Sequence, residues 1–303
     1  MKPSVALVIN TCNQPHYLAR VLQAVSSQTC PPDEVILADD GSGDETRHVF
    51  EQWSRTQSFV SRHVWQEKKG FRRARILNAS IAQTRSDYVI FLDGDTLPHP
   101  HFTADHRALA RRKCFIQGHR VLVSQKASQF FGTGRFTADR RRAFFTGQLK
   151  GFKHIFRWLI PFRQIVPSLD GVRGCNLSAW RADLVAINGY NEDYSGWGCE
   201  DLDLAQRLMN SGVRRLDVRG HGLCYHLWHP LLDRSQLATN QKILEETTRH
   251  HQVVCRRGLD GHLEAGAPER RAAVAPLIPL VSKAAKESVV ETQTAWQANS
   301  PAC

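Results

Sequence analysis

The chain has 303 residues, 42% of them hydrophobic, and a formal charge of +11 at neutral pH. That is the composition of a globular protein able to bury one large core or two smaller ones. No apolar run approaches the roughly 18–20 residues of a membrane span, and MKPSVALVINTC reads as a first core strand rather than a secretion signal, so a cytoplasmic protein is expected.

Residues 4–9 (SVALVI) and 34–38 (EVILA) are short β-rich runs separated by a helical stretch at 15–28. A helix around 44–56, a strand at 59–65, a helix at 72–83 and the strand YVIFLD at 88–93 follow. Alternating strands and helices predict an α/β fold with a parallel sheet covered by helices. Ligands of such sheets bind beyond the carboxyl ends of the strands, so the residues that end each strand carry information.

The second strand ends in Asp39-Asp40-Gly41-Ser42, and YVIFLD ends in Asp93-Gly94-Asp95. Two strands thereby deliver carboxylates to one edge. Asp and Gly also make ordinary turns, but a DxD pair after a buried strand suits a hard divalent cation, Mg²⁺ or Mn²⁺, with positions left open for phosphates. Between these strands, Arg72, Arg73 and Arg75 sit at a helix start, where guanidinium forks can reach a diphosphate. His99, His101 and His106 have metal-like spacing without a further ligand cluster nearby, so a second metal site is not expected.

From 135 to 163, basic and aromatic residues interleave. The mixture fits either a membrane-surface helix or a solvated helix over the core. From about Asp170 the chain becomes glycine-rich and leads into WGCEDLDLAQRL at 197–208, where Glu200, Asp201 and Asp203 open an amphipathic helix. Acidic first turns are ordinary helix electrostatics, so the preceding Gly-Trp-Gly must separate structure from chemistry. His226 and His229 in CYHLWHP are candidates for a third metal ligand, with His229 favoured. The eight cysteines show no CxxC pair and read as free thiols; nothing favours Cys199 as a nucleophile.

The acidic strand end, the DxD, FRRARILN at 71–78 and INGYNEDYSGWGCEDLDLAQRL at 187–208 together resemble the inverting GT-A nucleotide-sugar glycosyltransferases, family 2 type, with a galactosyltransferase-type C-terminal module. The resemblance covers roughly residues 4–230. It implies a GT-A fold: a Rossmann-like nucleotide-binding sheet flanked by helices, contiguous with an acceptor-binding part. It further implies that Asp39 and Asp40 bind base and ribose, that Thr11 lines the same pocket, and that Arg75 approaches the donor. Asp93 and Asp95 would form the metal-binding DxD, with His226 or His229 completing it around Mn²⁺ or Mg²⁺. Asp201 would be the catalytic base, Glu200 would orient the acceptor, and Trp197 would lie on a loop closing over the donor.

The organisation expected is a nucleotide-sugar-binding half at 1–110, a basic aromatic insertion at 111–169, an acceptor-binding and catalytic half at 170–260, and a mobile tail at 261–303. The expected partners are a nucleotide-sugar donor, a UDP-sugar above all, a glycan or lipid-linked acceptor of surface polysaccharide or lipopolysaccharide synthesis, and peripheral contact with an anionic membrane at its inner face. Nucleic acid is not an expected partner. The rival readings are a metal-dependent nuclease or nucleotidyltransferase, which leaves WGCED without a task, and a non-catalytic binding module, which leaves the complete carboxylate set without one.

Overall fold

A computed structural model describes residues 2–151 and 154–263; most of the tail expected at 261–303 lies outside the described residues. The first half runs β1 (Val5–Thr11), α1 (Pro15–Ser26), β2 (Glu34–Asp39), α2 (Asp44–Ser54), β3 (Val60–Trp65), α3 (Arg73–Gln83) and β4 (Tyr88–Asp93). Next come β5 (Thr96–Pro98), α4 (Phe102–Leu109), β6 (Cys114–Gln117), β7 (Arg120–Val123), α5 (Gln125–Ser128), α6 (Phe136–Phe145), β8 (Leu149–Lys150) and β9 (Phe162–Ile165). The chain continues through β10 (Asn176–Trp180), α7 (Arg181–Ala186), α8 (Glu200–Asn210), β11 (Arg214–Arg219), β12 (Cys224–His226), α9 (Leu237–Arg249) and α10 (Asp260–Leu263).

The strands form an eight-stranded sheet, ordered β3-β2-β1-β4-β10-β6-β11-β9, and a four-stranded sheet, β5-β12-β7-β8. β3, β2, β1 and β4 are mutually parallel. Their near-continuous apolar runs follow from burial on both faces. Alternate residues of one strand serve opposite layers: Leu7 and Ile9 join the core under α1, whereas Val8 joins the core under α3 and α8. Pro15 at the start of α1 costs no hydrogen bond, and Leu18, Val21, Leu22 and Val25 supply its buried stripe.

Strand order reverses at β1, with β2 on one side and β4 on the other, which makes the crevice beyond β1 and β4 the ligand position for this kind of sheet. The register sets Thr11 beside Asp39 and Asn10 beside Asp93. β10 then pairs antiparallel with β4, so the sheet is mixed rather than wholly parallel. Residues 111–169 are woven into both sheets: β6 and β9 belong to the large one, β7 and β8 to the small one. Among the described residues of 135–163, α6 is the one sizeable helix, and it buries a single residue, Ala143. A long membrane-surface helix is therefore not what the stretch forms, because Gly147 and Gly151 take positive φ and break it. Among the described residues no helix is long and apolar enough to cross a membrane, and the seven described cysteines are all free.

α8 is locked to its neighbours by a fully buried ion pair. Arg207 Nε donates to Asp203 Oδ2 at 2.8 Å, Arg207 Nη1 donates to the Ile187 carbonyl at 2.7 Å, and Thr247 Oγ1 of α9 donates to Asp203 Oδ1 at 2.8 Å. Removing one partner strands the other charge in the core. Asp203→Ala is expected to lower unfolding free energy by about 3–5 kcal/mol in urea denaturation; a loss of less than ~1 kcal/mol would show the pair to be dispensable.

Candidate active site

α8 starts where Cys199, in the left-handed region at φ 71°, turns the chain. Asp203 faces the core, while the other two carboxylates of the first turn face β4 and α3. There Arg73, buried at the start of α3, holds both of them together with Asp93 of β4. Its Nη1 lies 3.1 Å from Glu200 Oε1 and 2.5 Å from Asp201 Oδ1, and its Nη2 lies 3.1 Å from Asp93 Oδ1. The second oxygen of Asp201 accepts the Gly174 N–H at 3.0 Å. This approach demands glycine, since a Cβ at position 174 would lie 2.1 Å from Asp201 Oδ1.

One guanidinium shared by three carboxylates leaves negative charge uncompensated in a buried place. Burial first, and the Asp201 charge second, push the Glu200 carboxyl up to about 7 against the opposing pull of Arg73. Asp201 is the more open of the two acids, with a side chain 21% exposed against 7% for Glu200. Tyr190 is buried beside them, and its hydroxyl has no partner among the described residues.

The second sheet builds a second constellation. β12 pairs antiparallel with β5, which sets His226 opposite Thr96 and so next to Asp95. His226 Nε2 lies 3.7 Å from Asp95 Oδ1, and His229 Nε2 lies 3.4 Å from Asp95 Oδ2. The three ligand atoms all fall within 4.8 Å of one another, the one such group among the described residues. His229 Nδ1 is 2.7 Å from the Pro230 carbonyl, which can only accept, so that nitrogen donates there and Nε2 is the ring nitrogen facing Asp95. Burial also pushes the His226 imidazole down, toward its neutral, ligating form. A carboxylate and two imidazole nitrogens facing each other are a donor set suited to a cation. Both candidate histidines, His226 as well as the favoured His229, converge on Asp95. Asp93 stands apart from this group, its Oδ1 taken by Arg73.

The other sequence candidates scatter. Asp39 is fully buried, with Oδ1 accepting the Ser42 N–H at 2.8 Å and Oδ2 2.9 Å from His63 Nε2. Asp40 faces the 66–72 segment, taking the Gln66 amide at 2.6 Å, the Arg72 N–H at 3.0 Å and Lys68 Nζ at 3.3 Å. Thr11 is covered by Gly94, and its Oγ1 is closed to solvent without a partner among the described residues. Arg75 does not join the carboxylates: half exposed, it comes within 4.0 Å of Glu192 instead. Trp197 is half-buried, with the Arg234 guanidinium 5.0 Å from its ring. Its loop is tied to α9 by Asn240 Nδ2, which donates to the Ser195 and Gly198 carbonyls at 3.0 Å. His106 bonds Ser178 and Asn176 in the core, apart from any ligand group.

Sequence reasoning named Arg73 only beside Arg72 and Arg75 as an arginine able to reach a diphosphate, not as the partner of Asp93, Glu200 and Asp201, and it gave Gly174 and Tyr190 no role. A signal for Arg73 existed: it stands one helical turn before Leu77 and two before Ile81, in phase with the buried face of α3.

The sequence model described as "Glycosyl transferase family 2" matches residues 6–163, over half of the chain. This chain belongs to glycosyl transferase family 2. A second model, "N-terminal domain of galactosyltransferase", matches residues 163–230 of this family 2 chain. Validoxylamine A glucosyltransferase of Streptomyces hygroscopicus subsp. limoneus is 27% identical over 236 residues, 70% of this chain and 49% of that protein. The chain spans about half the length of the first curated relatives it matches. TarS of S. aureus superposes with a TM-score of 0.58 at 14% identity, covering 83% of this chain and 41% of that one. The mannosyltransferase PcManGT of Pyrobaculum calidifontis, solved with GDP-Man and Mn²⁺, gives 0.52 at 16% identity, covering 99% and 82%. These neighbours share the GT-A fold, which is the fold of this family 2 chain.

Two predictions test the carboxylate cluster. Gly174→Ala is expected to displace Asp201 and cut turnover about 10²-fold with nucleotide-sugar affinity retained; unchanged kcat would remove the glycine from the site. A Glu200 pKa raised above its unfolded value of 4.5 means that the native state holds the extra proton. That contribution to stability is full below about pH 4.5 and is lost as pH rises through about 7. Wild type minus Glu200→Gln unfolding free energy is therefore expected to fall across that window, and a flat difference would contradict the raised pKa.

Proposed function

We propose that this protein is an inverting glycosyltransferase that moves a hexosyl or N-acetylhexosaminyl unit from a nucleoside diphosphate, UDP first, to a hydroxyl of a glycan or lipid-linked acceptor in surface polysaccharide or lipopolysaccharide assembly. The observation that carries this reading is Asp201, a partly open carboxylate held at both oxygens by Arg73 and the Gly174 N–H, on the same crevice as the DxD at the end of β4. A nuclease would give that clamp no task.

A sugar hydroxyl is a poor nucleophile at neutral pH, and a positioned carboxylate that takes its proton in the transition state contributes about 10²–10⁴-fold. Asp201 takes this role, because Arg73 and the Gly174 N–H orient it while its side chain stays partly open to an acceptor. Glu200, more buried and more readily protonated, can donate a hydrogen bond to an acceptor hydroxyl. Asp39 and Asp40 are both buried with both oxygens bonded, and Asp40 is the better of the two for the nucleoside only because its partners, Gln66, Lys68 and the Arg72 N–H, come from the 66–72 segment, Lys68 being partly exposed. Thr11 and Arg75 would need a shift of their surroundings to meet a donor, and Trp197 forms a wall tied to α9 rather than a free flap.

Asp95, His226 and His229 would hold the metal. A divalent ion there supplies Lewis-acid stabilisation to the leaving diphosphate. Two imidazoles beside one carboxylate favour Mn²⁺ over Mg²⁺, which prefers an all-oxygen shell; PcManGT was itself solved with Mn²⁺ and a nucleotide sugar. Asp93, engaged by Arg73, would act on the donor side rather than as a ligand. Peripheral contact with the inner face of an anionic membrane is part of this reading.

Thermal unfolding in the presence of UDP-, GDP- and TDP-sugars, each with Mn²⁺, Mg²⁺ or no metal, is the direct test. A shift that one nucleotide gives only with Mn²⁺ is expected, and Asp95→Ala should abolish it. Asp201→Asn should keep the shift and lose at least about 10²-fold in transfer. Retained turnover would remove Asp201 as base, and a metal-independent shift would remove the Asp95 group as the metal site.

A further inference from the structure

The basic aromatic stretch has a use that no catalytic residue supplies. Leu159 is 100% exposed and Ile160 77% exposed, with Phe156, Trp158, Phe162 and Phe145 exposed around them. Aliphatic side chains this exposed mark an interaction surface when they are contiguous. Here they are also held in place. Arg157 clamps Asp105 of α4 through Nη2 at 2.7 Å and Nε at 3.2 Å. The Trp158 N–H donates to the Gly220 carbonyl at 2.9 Å, and the indole lies so close to Gly220 that a Cβ there would come within 2.6 Å of it. Beyond the tip, β9 pairs with β11. Both ends of the loop are thus fastened and its apex is left without cover.

The charge around it selects the occupant. No Asp or Glu occurs between Asp139 and Asp170, a stretch that contains seven Arg and Lys residues. Arg141, Arg142 and Arg163 are exposed, and Arg219 stands 5.6 Å from the Phe162 ring. Arg157 and Arg219 are paired with Asp105 and Asp217, whereas Arg141, Arg142 and Arg163 have no ion pair among the described residues; an apolar tip beside such arginines is complementary to an anionic lipid surface, which takes aliphatic and aromatic groups into the headgroup boundary and basic heads at its phosphates.

Sheet geometry adds a second argument. β4, β6 and β11 run in the same direction, since β4 and β6 are each antiparallel to β10 and β6 is parallel to β11. Arg219 at the end of β11 and Phe162 at the start of β9 therefore lie at the same edge of the sheet as Asp93. The tip projects from the catalytic edge, four strands or about 19 Å from β4.

We propose that residues 156–163 dock this protein on an anionic membrane, with Leu159 and Ile160 inserted and the surrounding arginines on lipid phosphates. The proposal rests on the membrane-peripheral part of the reading above and not on its chemistry. The test is co-sedimentation of the full chain, without nucleotide, with phosphatidylcholine vesicles that contain or lack phosphatidylglycerol. Binding to the anionic vesicles alone is expected, weakening as salt rises. Leu159→Ser with Ile160→Ser should reduce partitioning at least about ten-fold, and Arg141→Glu with Arg142→Glu by about five-fold or more per charge. Both variants should keep the wild-type melting temperature and its nucleotide-sugar shift. The proposal is overturned if wild type stays in the supernatant, or if the Leu159/Ile160 variant sediments like wild type. It is equally overturned if wild type dimerises and that variant is monomeric, which would make a second copy, paired along the exposed edge of β9, the occupant. Vesicle binding without any nucleotide-sugar shift would instead sink the transferase reading and leave the docking surface standing.

Discussion

A single buried cation organises the catalytic edge. Arg73 is drawn into the protein by Asp93, Glu200 and Asp201, residues delivered by β4 and by α8, more than a hundred positions apart along the chain. Its position is locally unfavourable, because a guanidinium at the start of α3 faces the positive end of the helix dipole. Tertiary carboxylates overcome that cost. A local rule broken at one position and compensated only by distant residues is the expected mark of a functional site. The imbalance in charge then has consequences: three acids on one base cannot all be ionised at low cost, and the burden falls on Glu200, the most buried of them.

The parallel half of the fold was legible because its strands are buried on both faces and therefore read as uninterrupted apolar runs. The antiparallel half was not. β6 has four residues, and β11, RRLDVR, hides Arg215 and Asp217 as a buried ion pair at 3.0 Å, so its sequence looks like surface. Residues 111–169 hide their structure in the same way. Their aromatics and arginines suggest one amphipathic segment, but the chain there divides into the short helices α5 and α6 and strands of two different sheets.

The same division runs through the site. The acids of DGD and WGCED were visible because strand ends and helix starts are punctuated in sequence. Their partners were not, because partners are a matter of register and phase. Arg73 and Arg75 differ by two positions, which on a helix is the difference between the core and solvent. His226 and His229 looked like competitors while the pairing of β5 with β12 was unknown, and that pairing brings both to Asp95. The three carboxylates of α8 divide likewise: Asp203 holds the helix, whereas Glu200 and Asp201 face the crevice, and no one-dimensional pattern separates them.

The sheet connects catalysis to surface. The proposed docking tip is fixed to the fold by Arg157 and by the Trp158–Gly220 bond, at the same edge of the sheet as Asp93, so it is part of the framework rather than a flexible tether. The span between β9 and β4, four strand spacings or about 19 Å, is set by the same hydrogen-bonded sheet that carries Asp93 to Arg73.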